Sequence, residues 1–346
     1  MVGDALHSIL VLVLVAPLMA YLVAERLTMA TTISMHRGHS HDSVGYRRLV
    51  QFWLDYSVAR VGIWINAYAV THIRHHQETD TEKDPHAPCM NEDPAIDDDR
   101  ARQLSGVYQV LRHNVSFYDD YAKDEAWVRS QKRPPRITWI DEWAQQHRAL
   151  NRVFLVLTHA FGYVMVGLLV DALTPLSVWL PAYALLALPV GGWSLRYGGD
   201  IYIRRSAEIN AFGHAWHEHH RRKPIGRGSN HRKAARRAWG EGLQFWHHSR
   251  QRSPRFRDPT YTSWRDDKGW VAIRLLQALR LTTFVREVAD HSSEPNPRIL
   301  ESQWDKQFWS IIAETKGTKP WRLRLRQHLR AQAKSPPERR SELVKT

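Results

Sequence analysis

The sequence contains one cysteine, Cys89, in 346 residues. A single thiol excludes a disulfide framework within the chain, and it excludes a zinc or iron–sulfur site built on CxxC motifs. The chain therefore fits a reducing environment. It also lacks internal repeats, and its first apolar run, residues 5–29, has neither a basic segment before it nor a small-residue cleavage site after it. This run is therefore not typical of a signal peptide.

Acidic residues are in deficit, because 35 Asp and Glu face 49 Lys and Arg, which gives a formal net charge of +14. The basic residues flank the apolar segments and do not form one continuous stripe, so a nucleic-acid-binding surface is not expected. The first interpretation is the positive-inside charge bias of a membrane protein. A phosphate-bearing substrate or an acidic redox partner would also explain the excess of positive charge.

Apolar runs indicate the membrane segments. Residues 5–29 are long enough to cross a bilayer, and the charge bias places the N-terminus outside. Residues 153–195 form another apolar stretch, divided by a Thr-Pro-Leu-Ser turn, and predict a helical hairpin. Residues 47–71 contain Asp55 and Arg60, which are costly inside a bilayer. For this segment we expect a helix at the membrane interface or inside the protein.

The predicted fold is all-α. We expect an integral membrane helical bundle of three or four transmembrane helices, with a cytosolic helical cap that holds a histidine-rich di-metal site. The polar residues 78–135 would form the cap, and a last apolar-periodic helix is expected near residues 271–285. One domain is expected over residues 1–290. Residues 291–346 predict a basic, partly disordered tail.

Histidines are concentrated in four clusters beside the apolar segments. The clusters contain His36, His39 and His41; His72, His75 and His76; His214, His217, His219 and His220; and His247 and His248. Imidazole is the commonest neutral metal ligand near pH 7, and about eight imidazoles suit two ions better than one. Spacings of three and four residues place His72, His75 and His76 on one face of a helix.

The type of ligand narrows the choice of metal. An imidazole set without sulfur fits iron, copper or zinc, but zinc is redox-silent and usually takes three or four ligands. Two irons with open positions can bind and cleave dioxygen. The clusters therefore predict a membrane redox metalloenzyme that acts on a lipidic molecule.

The histidine boxes resemble those of membrane-bound fatty acyl desaturases, in particular the delta-9 or acyl-CoA desaturase-like group. Residues 36–41 are similar to the family's HRxxSH box. Residues 72–86 are similar to its HRxHHxxxDxxxDPH stretch, with the arginine one place later. The pair Asn210 and His214 matches an NxxxH element. Together these spaced elements are a far more specific signature than any one of them.

Two further segments extend the resemblance toward the C-terminus. Gly240-Glu241-Gly242 precedes the last histidine pair, as in the family's GEGxHxxHH box. Residues 267–285 resemble its C-terminal ExDxxxxxIxxLxxLGL segment, with Arg280 where glycine is usual. The resemblance then covers roughly residues 20–288.

The resemblance implies an oxygen-dependent site with two iron ions. Its ligands would be His36, His41, His72, His75, His76, His214, His247 and His248, and Asn210 would hold an iron-bound water. The implied reaction inserts a cis double bond into a long-chain fatty acyl group attached to coenzyme A, to a lipid or to a carrier protein. The implied location is a multi-pass membrane protein with its active site on the cytosolic side.

The electron donor of such an enzyme is ferredoxin, cytochrome b5 or a similar carrier. The chain has neither an HPGG haem motif nor a CxxC cluster, so we expect the donor to be a separate protein. Arg37, Arg74 and the basic run at 221–237 lie next to the boxes. They could meet phosphates of an acyl carrier or an acidic donor, or they could be charges that set the topology.

Two departures from the family pattern bear on function. Gln244 replaces the first histidine of the third box and gives QxxHH, as in front-end desaturases. Glutamine offers only a weak carbonyl ligand or a hydrogen bond to water, and His217 could replace the lost ligand or belong to a solvated basic turn. The residues before His36 also allow one membrane helix, where the family usually has two.

The functional alternatives are therefore a fatty acyl or lipid hydroxylase, or another oxygenase, on the same scaffold, and a catalytically inactive relative that binds metal. For an active enzyme we expect an apolar substrate tunnel lined from residues 50–70 and 155–195. These segments include Trp53, Trp64, Trp179 and Trp193.

Overall fold

The first apolar run forms one long helix, α1 (Val2–Ala30). In this computed structural model, the described residues are 2–79, 125–130, 139–173, 180–213, 230–257 and 262–288. The second apolar stretch forms α6 (Arg148–Leu173) and α7 (Leu180–Gly213), which pack against each other while α1 packs on α7. The predicted helical hairpin therefore has two long helices, and its turn lies outside the described residues.

The three long helices meet in an apolar core. Val11, Leu12 and Ala16 of α1 pack there with Tyr163 of α6 and Tyr183 of α7. Elsewhere these helices expose leucine and valine side chains, as expected of surfaces that face lipid. Among the described residues, two segments are long and apolar enough to cross a bilayer, Leu6–Ser40 and Arg148–Leu173. A count of three or four transmembrane helices stays a prediction.

The first histidine box, residues 36–41, lies at the end of a π-helix, Thr31–Ser40, and His41 directly follows this helix. The π-helix continues α1 without a break. Hydrogen bonds of a π-helix join residues five apart; at its C-terminal end the backbone N–H of His41 donates to the carbonyl of His36 over 3.1 Å. This spacing brings two residues five apart to the same side of the helix. Such segments are rare and occur frequently at functional sites.

Residues 47–71 form two helices and not one. These are α2 (Arg48–Ala59) and α3 (Ile65–Glu78), separated by a turn in which Gly62 has φ +87°. The first backbone N–H groups of α3, at Ile65 and Asn66, donate to the carboxylate of Asp141 over 3.0 and 3.2 Å. This carboxylate from another helix caps α3 and fixes where the helix starts.

Asp55 lies inside the protein. This agrees with the second of the two expectations for this segment, a helix inside the protein. It is 1% exposed and accepts hydrogen bonds from Ser34 and Gln51 over 2.7 and 2.8 Å, with the ring of His39 at 3.0 Å. A buried carboxylate needs such partners. Here they tie α2 to the π-helix.

Short elements complete the described chain. They are α4 (Glu125–Ser130), α5 (Trp139–Gln146), α8 (Arg232–Arg237), α9 (Gln244–Ser249), a 3₁₀ turn (Trp264–Asp267) and α10 (Lys268–Ala278). Most of the segment expected to form a cap lies outside the described residues, as does the tail over residues 291–346. The cap and the domain boundary near residue 290 therefore stay predictions.

A two-stranded sheet departs from the all-α expectation. Strand β1 (Val44–Tyr46) pairs antiparallel with β2 (Thr282–Val285), and Val44 lies opposite Val285. The prediction of a helix over residues 271–285 is therefore wrong in its last part. The Thr-Thr-Phe-Val sequence favours a strand because β-branched and aromatic side chains fit an extended backbone, and the helix ends before Arg280, which has φ +56°.

The conformation of Arg280 leads to a test of stability. A non-glycine residue in the left-handed region costs on the order of 1 kcal/mol, so Arg280→Gly is expected to stabilise the protein by about that amount, less the entropy that glycine adds to the unfolded chain. Arg274→Gly is the matched control, since its helical position should lose about 1 kcal/mol. Thermal unfolding of both purified variants measures the difference. Equal destabilisation by both changes would contradict the assigned backbone conformation.

Candidate metal centre

Seven of the eight predicted ligand histidines converge on one buried place. Their residue exposures range from 0 to 7%: they are His36, His41, His72, His75, His76, His247 and His248. Three elements supply them, namely the π-helix with the residue after it, α3, and α9. On α3 the spacing of three and four residues turns the rings of His72, His75 and His76 to one side, as the sequence predicts.

The first group consists of five imidazoles whose ligand nitrogens all lie within 4.8 Å of one another: His36, His41, His72, His76 and His247. The Nε2 atom of His247 is 3.0 Å from those of His36 and His76. The Nε2 atom of His72 is 2.9 Å from that of His41 and 3.0 Å from that of His76.

These separations fit ligands of a common metal ion. Two nitrogens at right angles around an ion, each about 2.1 Å away, are about 3.0 Å apart. Nitrogen atoms that face each other in this way, in a dry site without sulfur, form a donor set suited to a first-row transition metal. The buried histidine cluster can therefore hold a metal ion.

The second group contains His75, His248 and Gln244. The Nε2 atoms of the two histidines are 3.2 Å apart, and the Oε1 atom of Gln244 lies 3.1 Å from Nε2 of His248. The side-chain amide of Gln244 donates to the backbone carbonyl of Glu241 over 2.5 Å. Because this bond uses the amide nitrogen, the amide oxygen is the atom turned toward the histidines.

Glu241 orients one histidine of the first group, His36, and the sequence analysis missed this role. Its Oε2 atom is 2.5 Å from Nδ1 of His36. A carboxylate at Nδ1 favours the tautomer whose Nε2 lone pair faces the other imidazoles. The signal was present in the sequence as the Gly-Glu-Gly box. The first glycine of this box is needed for the backbone, because Gly240 has φ +106° and a Cβ atom there would lie 2.5 Å from Oδ1 of Asp267.

Burial keeps four of the five imidazoles of the first group in the form that can bind a metal ion. Desolvation lowers the pKa values of His41, His72, His76 and His247 well below 6.5, and the neighbouring imidazoles lower them further. These rings are therefore neutral at physiological pH. A neutral imidazole is the form that binds metal ions.

His39, the remaining histidine of the first box, turns away from the cluster. Its Nε2 atom is 3.0 Å from Oδ1 of Asp55, which agrees with its absence from the predicted ligand set. His214 and His217 lie outside the described residues. Asn210 lies near the end of α7, and its predicted water-binding role stays a prediction, as do the ligand roles of all the histidines.

The basic residues beside the boxes differ from expectation. Arg37 was expected to meet a phosphate or an acidic donor, or to set the topology. Its side chain is instead fully buried: it donates to Asp267 over 2.8 Å and lies 3.9 Å from the ring centre of Phe256. Arg236 pairs with Asp266 and Arg237 with Glu208. Residues 221–229 lie outside the described residues.

A cavity of about 520 Å³ reaches the metal centre. His36, His72 and His75 form part of its wall, and apolar side chains form much of the rest: Leu27, Met35, Val61, Ile63, Leu155 and Leu195. Its volume is in the range of small-molecule sites. Some of this lining comes from the segments expected to form a tunnel, but α1, the π-helix and the later part of α7 also contribute.

The tryptophans proposed for a tunnel are placed elsewhere. Trp53 and Trp193 are 44% and 50% exposed, and Trp64 packs in a separate apolar cluster with Ala67 and Val70. All three are outside the described lining of the cavity. Trp179 lies outside the described residues.

Comparison with known proteins supports a distant relationship to desaturases. No family model matches the chain. A "Delta-9 desaturase-like 3 protein" from Arabidopsis thaliana is 23% identical over 287 residues, which cover 78% of this chain and 77% of that protein. This similarity and the buried histidine cluster support a desaturase family and an oxidoreductase. With the two apolar helices, they also support a membrane protein.

A test of the centre uses Glu241→Gln. The neutral amide weakens the orientation of His36, and changes to partners of ligand histidines typically lower metal affinity about 10–100-fold. Competition between purified protein and a ferrous chelator measures this loss. Glu287→Gln, at an exposed site, is the control and should bind as the unaltered protein does. Equal affinities of the two variants would show that Glu241 has no part in holding the metal.

Proposed function

We propose that this chain is a membrane-bound, di-iron fatty acyl desaturase. Its reaction would be the oxygen-dependent desaturation of a long-chain fatty acyl group carried by coenzyme A, a lipid or a carrier protein. The observation that supports this most is the convergence of seven buried imidazoles, in two adjoining groups, at the wall of an apolar cavity. The distant similarity to a desaturase-like protein favours the same activity.

The two groups suggest which residues would hold each iron. His36, His41, His72, His76 and His247 would serve one ion, and His75 and His248 the other. His214 completes the proposed eight histidines, and Asn210 would hold an iron-bound water. When bound, the two irons supply the activation of dioxygen that removal of hydrogen from an unactivated methylene requires.

The protein would contribute orientation and exclusion of water. Glu241 holds His36 through Nδ1, and Tyr68 stacks on His72 with ring centres 5.5 Å apart. The apolar wall formed by Leu27, Met35 and Ile63 would keep an acyl chain beside the imidazoles and away from water. A dry site protects a reactive centre from side reactions.

Gln244 is the feature that favours a second candidate, hydroxylation. Its amide oxygen stands in the second group where the desaturase pattern has imidazole, and a carbonyl is a weaker, uncharged donor than imidazole. A different ligand at one ion could change the product on the same scaffold. The products separate the two cases: a desaturase gives a double bond and adds no oxygen, and a hydroxylase gives a hydroxyl labelled from dioxygen.

The partners follow from the same proposal. Electrons would come from a separate carrier, ferredoxin, cytochrome b5 or a similar protein. The active site would face the cytosol of a multi-pass membrane protein, with membrane lipid around α1 and α6. No nucleic acid is expected to bind.

The first test of function is His247→Ala in a desaturase-deficient host. His247 approaches two other imidazoles at 3.0 Å. Changing a residue that only orients a metal ligand can lower activity about 100-fold, so the loss of a ligand itself should lower the amount of product at least as much. Mass spectrometry of cellular fatty acids measures the product, and membrane fractionation checks insertion. His147→Ala, at an exposed histidine, should leave product unchanged. Normal turnover by the His247 variant would show that the ligand assignment is wrong.

A second test is Gln244→His, which restores the usual imidazole. Position 244 already faces His248 at hydrogen-bond distance, so the new ring should join the second group. We expect desaturation to be kept or increased, up to several-fold. Complete loss of product, with iron content unchanged, would show instead that the glutamine has a required role of its own.

A further inference from the structure

Helix α10 has an exposed apolar stripe. Val271, Leu275 and Leu279 are spaced by four residues, which places them on one side of the helix, and their exposures are 39, 60 and 58%. The opposite side is already packed, because Ile273 is fully buried in the core around the π-helix and Trp270 packs against that core. A helix with apolar residues on two sides needs a cover for the second side.

The start of α10 lies beside the inner end of a proposed membrane helix. The Nζ atom of Lys268 is 3.9 Å from Oε2 of Glu25, on the penultimate turn of α1, and Trp239 donates to the same oxygen over 2.9 Å. One turn earlier on α1, Tyr21 and Leu22 are 47 and 50% exposed. The apolar surface of α1 thus extends to the turn at which α10 begins.

The other end of α10 adjoins a second exposed apolar helix. The Nε atom of Arg47 donates to the carbonyl of Arg280 over 3.1 Å, so α10 ends where α2 starts. On α2, Leu49 and Trp53 are 84 and 44% exposed, and the Trp53 ring lies 5.9 Å from the guanidinium of Arg26. Both helices therefore contact the same turn of α1, Lys268 through Glu25 and Trp53 through Arg26.

The charges around the stripe are positive. Arg265, Arg274 and Arg280 are exposed beside it, and Arg47 and Arg48 are exposed at the start of α2. The neighbouring carboxylates Asp266 and Asp267 are buried in ion pairs. An apolar face bordered by arginine is the pattern of helices that lie in the headgroup region of an anionic bilayer.

We propose that α10 rests on the membrane surface, with Val271, Leu275 and Leu279 in the headgroup–acyl boundary of anionic phospholipid. Continuity with the exposed apolar surface of α1, and the shared turn with α2, favour lipid over a docked protein. Together α2 and α10 would then fix the depth at which the π-helix and its histidines stand relative to the bilayer.

Spin labelling tests this contact. A nitroxide is attached at Leu275→Cys, and at Gln277→Cys as the matched control, in a Cys89→Ser background that removes the native thiol. Gln277 is exposed on the same helix, about 160° further round at 3.6 residues per turn. Both proteins are reconstituted in vesicles of phosphatidylcholine and phosphatidylglycerol. Collision with oxygen and with a water-soluble nickel chelate is then measured, and Leu279→Cys provides a second position on the stripe.

The expected result is an oxygen-to-nickel accessibility ratio several-fold higher at Leu275 and Leu279 than at Gln277. Equal ratios, with free access of the nickel chelate, would show that the stripe faces water and would overturn the proposal. Protection of Leu275 and Leu279 from both reagents would overturn it as well, because a second copy or another protein would then cover the helix. None of these outcomes depends on bound iron or on turnover.

Discussion

The close packing of buried imidazoles is the constraint on which the rest of this structure depends. Buried polar groups are stable only when each finds a partner, and here ring nitrogens approach one another at about 3 Å from elements distant in sequence. A shared cation satisfies several such nitrogens at once. The elements around the rings offset the cost of bringing them together, and several of these elements are held by buried polar contacts.

Those contacts use carboxylates in the interior. Asp55 ties α2 to the π-helix, Asp141 caps α3, and Glu241 holds His36. Asp267 does the most, since it pairs with Arg37, caps α10 through Trp270, and accepts the backbone N–H of Phe256. The first histidine box is thereby joined to the C-terminal segment some 230 residues later, which explains why motifs so distant in sequence belong to one site.

Sequence reasoning worked where periodicity determines geometry. Spacings of three and four placed His72, His75 and His76 on one face of α3, and apolar runs predicted α1, α6 and α7. It missed the π-helix, because a spacing of five is uninformative for an α-helix and only the tertiary site makes a π-helix worthwhile. Arg37 was misread as a surface charge since its partner, Asp267, lies far along the chain. The strand β2 was taken for helix because apolar residues continue past Ala278, and only backbone geometry at Arg280 ends the helix.

The centre lies at the end of a segment that is long and apolar enough to cross a bilayer, and this position has a chemical consequence. The π-helix continues α1, so His36 belongs to the same continuous helix as the exposed apolar residues of α1. The cavity is bounded by the last turns of α1 and by the part of α7 that follows its apolar half, and it opens onto the imidazoles. In the proposed function, an acyl chain would lie in this cavity beside apolar side chains such as Leu27, Met35 and Ile63. Because hydrocarbon gains by leaving water, these side chains would stabilise such a chain by removing it from water.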